Sequence, residues 1–75
     1  MGKRRITNNI RTLRFFRDEM TQQQLAEKVG VTRQTIIAVE QGKYSPSLEL
    51  AFRIAHVFNI PLEDVFSYDA EDEAK

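Results

Sequence analysis

Apolar residues recur every three to four positions along nearly the whole chain, the spacing that buries one stripe of a helix. The first stripe is Ile6, Ile10, Leu13, Phe16 and Met20, which share one side when turned at about 100° per residue. It predicts a helix from about Asn8 to Asp18, with Phe15 opposite the stripe beside Arg11 and Arg14. Thr21 and, three residues on, Gln24 form a capping box that opens a second helix, Gln22–Val29, burying Leu25, Ala26 and Val29. Gly30 ends it as a left-handed cap, Val31 plugs the turn, and Thr32 caps a third helix, Arg33–Gln41, closed by Gly42. Pro46 lacks an N–H and biases Ser45 away from helix, so Lys43-Tyr44-Ser45-Pro46 is a loop. Ser47 caps a fourth helix, Leu48–Phe58, with Glu49 near its positive end. Asn59 and Ile60 break it, and Pro61 starts a short fifth helix, Leu62–Phe66.

Two short helices joined by a tight turn at Gly30-Val31-Thr32 have the layout of a helix-turn-helix. The run Thr21-Gln22-Gln23-Gln24-Leu25-Ala26-Glu27-Lys28-Val29-Gly30-Val31-Thr32-Arg33-Gln34-Thr35-Ile36 resembles the Cro/C1-type (XRE) helix-turn-helix family. So do Glu40-Gln41-Gly42-Lys43-Tyr44-Ser45-Pro46-Ser47-Leu48 and Leu50-Ala51-Phe52-Arg53-Ile54-Ala55, and the likeness covers roughly residues 8–66. The resemblance implies an all-α, five-helix, lambda-repressor-like domain that binds operator DNA, usually as a homodimer. Some compact members add a small antiparallel sheet from their two termini. Arg4-Arg5-Ile6-Thr7 and Phe66-Ser67-Tyr68-Asp69 alternate like strands, carry opposite charge, and would give Tyr68 and Phe15 somewhere to pack. Frayed tails are the alternative.

By the same resemblance, Arg33, Gln34, Thr35 and Ala38 fall on positions used for reading bases. The residues support this independently. Ile36 and Val39 share the core face of the third helix, leaving Arg33, Gln34, Ile37, Ala38 and Gln41 on the other side. A purely structural surface helix would carry Glu/Lys pairs there. Arg pairs bidentately with guanine and Gln with adenine, and Ile37 and Ala38 suit a thymine methyl. Gln22 resembles the family glutamine that bonds a phosphate at a helix amino terminus. Thr32, Gln41, Lys43, Tyr44 and Arg11 are further candidate contacts to the DNA backbone. Each also has a plain reading as an exposed polar residue, and Tyr44 can pack on Pro46. Lys3, Arg4 and Arg5 form a basic arm that either clamps flanking DNA or is simply solvated.

Family members often pair the acid at Glu40 with an arginine of the first helix, here Arg14 or Arg17. The chain departs from the family between Leu13 and Gln22, which has one more residue than usual and no glycine before Met20-Thr21. The end of the first helix is therefore expected to bulge.

Composition narrows the classes further. The 75 residues read as one domain: a helix-turn-helix core of about 8–66, an arm of 1–7 and an acidic tail of 67–75. The zero net charge divides into +5 over residues 1–53 (ten basic, five acidic) and −5 over 54–75 (one basic, six acidic). Such asymmetry hints at nucleic acid. Without cysteine, neither a disulfide nor a thiolate metal site braces the fold. His56 is the one histidine, so there is no zinc signal, and no Gly-rich loop or nucleophile elbow points to catalysis. No cofactor and no enzyme activity are expected. No apolar run suits a membrane span and the amino terminus lacks a signal-peptide core, so the reading is cytoplasmic.

The fourth helix is polar only at Glu49, Arg53 and His56, and the rest exceeds the roughly 100° apolar stripe of a monomer's surface helix. The surplus predicts an isologous homodimer through the fourth and fifth helices, with Phe52, Ile60, Pro61, Val65 and Phe66 as candidates. The alternative is that this helix is the central helix of the monomer. Taken together, the residues favour a transcriptional regulator, most readily a repressor, reading a pseudo-palindromic double-stranded DNA operator. Two other classes stay open: an antitoxin-like protein whose main partner is another protein, and an interaction module without a DNA role.

Overall fold

Capping residues place most of the helix boundaries. The computed structural model describes residues 6–68, with elements β1 (Ile6–Asn8), α1 (Ile10–Phe16), α2 (Gln22–Val29), α3 (Arg33–Glu40), α4 (Leu48–Phe58), α5 (Leu62–Val65) and β2 (Phe66–Tyr68). The Thr21 box closes in both directions: the Gln24 N–H donates to Thr21 Oγ1 at 3.0 Å and the Thr21 N–H to Gln24 Oε1 at 2.8 Å. Thr32 and Ser47 cap α3 and α4 by accepting from the N–H groups of Thr35 and Leu50. Gly30 takes φ +79° at the end of α2, a region costly for residues with a Cβ, and Gly42 takes +77° after α3. The Gly42 and Lys43 N–H groups then reach back to the Val39 and Ala38 carbonyls, closing α3 in a Schellman motif.

All four longer helices contribute to one core. Ile10, Leu25, Ile36, Ile54 and Val65 are completely buried in it. Helix α4 supplies Leu50, Ala51, Ile54, Ala55 and Phe58, so the monomer itself consumes most of its apolar surplus. Leu48 and Phe52, one turn apart, stay exposed.

Several expectations need correction. Helix α1 is shorter than Asn8–Asp18: Asn8 is in a strand, and Asp18 and Glu19 adopt left-handed φ values of 56° and 55°. That double left-handed step is the expected bulge. Phe16, the last residue of α1 and at the edge of the stripe, is 77 % exposed, while Met20, beyond the bulge, returns to the core. Phe15 does not pack on the sheet; it is exposed, and its ring meets that of Phe16 edge-on at 5.3 Å. Gln41 caps α3 rather than belonging to it, and Pro61 precedes α5 as its N-cap. Phe66 leaves the fifth helix with φ −119° and ψ 145° and begins β2. Val65 is no surface for a partner, because it lies wholly within the core; Ile60 and Phe66 are half-buried against it.

The two terminal strands do pair, antiparallel, with Ile6 opposite Tyr68, Thr7 opposite Ser67 and Asn8 opposite Phe66. The first strand runs one residue past the expected segment, to Asn8. The basic arm Lys3-Arg4-Arg5 and the acidic segment from Asp69 onward lie outside the described residues.

Candidate nucleic-acid interface

Helices α2 and α3 pack through Leu25, Ala26, Val29, Ile36 and Val39, which fixes which side of α3 remains outward. Arg33, Gln34 and Gln41 are exposed there, and Ile37 and Ala38 are half-buried between them. Thr35 is half-buried too, with its hydroxyl 3.1 Å from that of Thr32, so it serves the cap at the head of α3. Thr32 itself is exposed.

Glu40 is the single acid of α3, and it does not join the outward face. Its carboxylate turns inward, with 8 % side-chain exposure, and accepts from Arg14 Nε at 2.7 Å and Arg14 Nη2 at 3.1 Å. Gln22 Nε2 donates to the same carboxylate at 3.3 Å, and Arg14 Nη1 donates to the Met20 carbonyl at 2.9 Å. One cluster thus joins α1, the head of α2 and the last turn of α3. Of the two arginines considered, Arg14 is the partner of Glu40. Arg17 goes elsewhere, donating to the Phe58 carbonyl at 3.0 Å with its guanidinium 5.9 Å from the Phe58 ring centre.

A cleft of about 630 Å³ opens above this cluster and brings together Arg11, Gln22, Arg33 and Gln41. Three arginines line it (Arg11, Arg14 and Arg33) against Glu19 and the already paired Glu40. Lys43 and Tyr44 stand apart from the cleft, exposed on the loop that leaves α3. Three arginines and three amide side chains outweigh the one carboxylate, Glu19, that is not already paired, which suits a polyanion in which phosphates flank hydrogen-bonding edges.

One residue of this assembly escapes any reading of spacing. Asn8 Nδ2 donates to the Val39 carbonyl at 3.0 Å, at the end of α3, although 31 positions separate them. No periodic signal marks such a contact.

The family model described as Helix-turn-helix matches residues 10–65. An uncharacterised HTH-type transcriptional regulator of Methanocaldococcus jannaschii is 52 % identical over 62 residues, spanning 80 % of this chain and 94 % of that protein. The uncharacterised regulator YgzD of Bacillus subtilis is 46 % identical over 65 residues, spanning 87 % and 97 %. The cryptic phage CTXphi transcriptional repressor RstR, from Vibrio cholerae, is 34 % identical over 61 residues, spanning 81 % of this chain and 54 % of the repressor. A crystal structure of a Bacteroides fragilis protein superposes with a TM-score of 0.71 at 24 % identity, over 83 % of this chain and 98 % of that one, a likeness of fold alone. The chain belongs to the helix-turn-helix family of Cro/C1 (XRE) type.

Proposed function

We propose that this protein is a homodimeric, sequence-specific DNA-binding repressor that reads a pseudo-palindromic operator through α3. The observation that carries the reading is the inward turn of Glu40, which leaves Arg33, Gln34 and Gln41 on an outward face free of the helix's own negative charge. Arg33 and Gln34 sit at the amino end of α3, the end that helix-turn-helix proteins present to base edges. Gln22 and Arg11, across the cleft, hold the flanking phosphates, and Lys43 and Tyr44 hold those beyond the other end of α3.

Two copies place their α3 helices in successive major grooves, about 34 Å apart. Exposed Phe52 and Leu48, with Pro61 and the half-buried Ile60 and Phe66, form the seam between them. Repression follows from covering a promoter, and the name of the RstR relative supports that sign of regulation. No helix among the described residues is long and apolar enough to cross a membrane, in keeping with action in the cytoplasm.

Selection of the purified protein against a random duplex pool at physiological salt tests this. A two-fold-symmetric motif with half-sites about one helical turn apart supports it. Binding that is only salt-sensitive and unspecific contradicts it, and favours the antitoxin-like reading. Sedimentation giving a monomer mass at micromolar concentrations removes the dimer.

A further inference from the structure

Asn8 joins three parts of the fold at once, two through its side chain and one through its backbone. Its Oδ1 accepts from the N–H of Ile10, the first residue of α1, at 3.1 Å. Its Nδ2 donates to the carbonyls of Val39 and Glu40, at 3.0 and 3.5 Å, in the last turn of α3. Its backbone lies in β1, opposite Phe66 of β2. The partners fix the orientation of the amide: a carbonyl only accepts and a backbone N–H only donates, so a flipped amide would lose every bond. The contact is partly buried, and the Val39 carbonyl takes it as a second bond beside the one from the Gly42 N–H. The neighbouring Asn9 does the same for a different helix, donating from Nδ2 to the Asp64 carbonyl at 3.1 Å in α5.

We propose that Asn8 is a positioning residue for base reading, and that through it the paired termini set the pose of α3 on DNA. The inference rests on the reading of α3 as the recognition helix. Glu40 anchors the last turn of α3 to α1 and α2 through its side chain; Asn8 anchors the same turn through the backbone carbonyls of Val39 and Glu40. With both anchors in place the last turn of α3 is held from two directions. Losing the Asn8 anchor lets α3 pivot about its Glu40 tie. A pivot misplaces Arg33 and Gln34 at the far end of the helix, where base contacts tolerate little displacement, while flexible phosphate contacts re-form. The predicted signature is therefore lost discrimination rather than lost binding.

The probes are the duplex enriched by the wild-type protein from a random pool and a shuffled duplex of the same composition. The readout is the ratio of the two affinities. Asn8→Asp keeps the acceptor for Ile10 but has no N–H to donate, and it sets a carboxylate against the α3 carbonyls. Asn9→Asp adds the same charge one residue away and breaks the equivalent bond to α5, so it controls for charge and for general destabilisation. Asn8→Asp is expected to lower the ratio about tenfold, the equilibrium equivalent of one net hydrogen bond. Asn9→Asp is expected to leave it within about twofold, since its bond is exposed and remote from α3. If Asn8→Asp does not fold, as judged by circular dichroism, Asn8→Ser, too short to reach Val39, is read in the same way. An unchanged ratio in a folded Asn8 variant, or equal losses from Asn8 and Asn9, overturns the inference while leaving the recognition helix intact. A wild-type protein that enriches no duplex overturns the recognition-helix reading and this inference with it.

Discussion

Arg14 and Glu40, 26 positions apart, meet as a two-pronged ion pair, with Nε–Oε2 at 2.7 Å and Nη2–Oε1 at 3.1 Å and side-chain exposures of 14 % and 8 %. Removing one partner of a buried pair strands the other charge, which typically destabilises by about 3–5 kcal/mol. Because this pair keeps slight solvent access, Arg14→Ala is expected to cost about 3 kcal/mol in urea unfolding at fixed protein concentration. Arg14→Met with Glu40→Leu, which leaves no stranded charge, is expected to recover most of that loss. Equal losses in the single and double variants would show that the pair is not the source of the stability.

The turn after α1 stores strain. Asp18 and Glu19 both lie at left-handed φ, where a residue with a Cβ is disfavoured by roughly 1–2 kcal/mol. Glycine relieves that strain but adds unfolded-state entropy. Glu19→Gly is therefore expected to stabilise by about 0.5–1 kcal/mol, a rise of several degrees in Tm for a chain of this size. A lowered Tm would mean that the side chain of Glu19 contributes more than its backbone costs.

Two apolar residues of α1 that share a stripe on paper fare differently. Ile10 is fully buried and Phe16 is 77 % exposed. Ile10→Ala is expected to destabilise by about 2–5 kcal/mol. Phe16→Ser is expected to change stability by no more than about 0.5 kcal/mol, as exposed positions do. Chemical denaturation of the two variants side by side checks the contrast.

What was legible in the sequence follows from the range over which each signal acts. Helices α2 and α4 begin and end where Thr21, Gly30, Ser47 and Asn59 place them, because a cap and its helix are a few residues apart. The helix-turn-helix and the inward faces of Ile36 and Val39 follow from the same short range. Phe16 was misread because it lies at the edge of the stripe, about 120° from Ile10 at about 100° per residue, in the helix's last position. The helix end was misplaced because Asp18 and Glu19 break it without a glycine to announce the break. Val65 was misread because a four-residue helix has too few positions to define a buried side. Asn8 and the choice of Arg14 over Arg17 were illegible because they depend on how α1 is aimed at α3 and α4, which no local pattern encodes.

Lys43 separates phosphate binding from base reading. It stands exposed on the loop after α3, away from the cleft that holds Arg33. Lys43→Ala is expected to weaken binding to all duplexes alike and to lower the slope of log affinity against log salt by about 1. Salt titrations on an operator and on a shuffled duplex measure both quantities, and a loss confined to the operator would assign Lys43 to bases instead.

That the outward face of α3 reads bases is tested most directly by repeating the random-pool selection with Arg33→Ala and with Gln34→Ala. The predicted result is a motif that keeps its symmetry and half-site spacing but loses preference at one base pair per half-site in each variant. The lost pair is a G·C for Arg33 and an A·T for Gln34, with affinity for the wild-type motif falling by about 1–3 kcal/mol. An unchanged motif with uniformly weaker binding in both variants would contradict it, placing these two side chains on the backbone and the reading surface elsewhere.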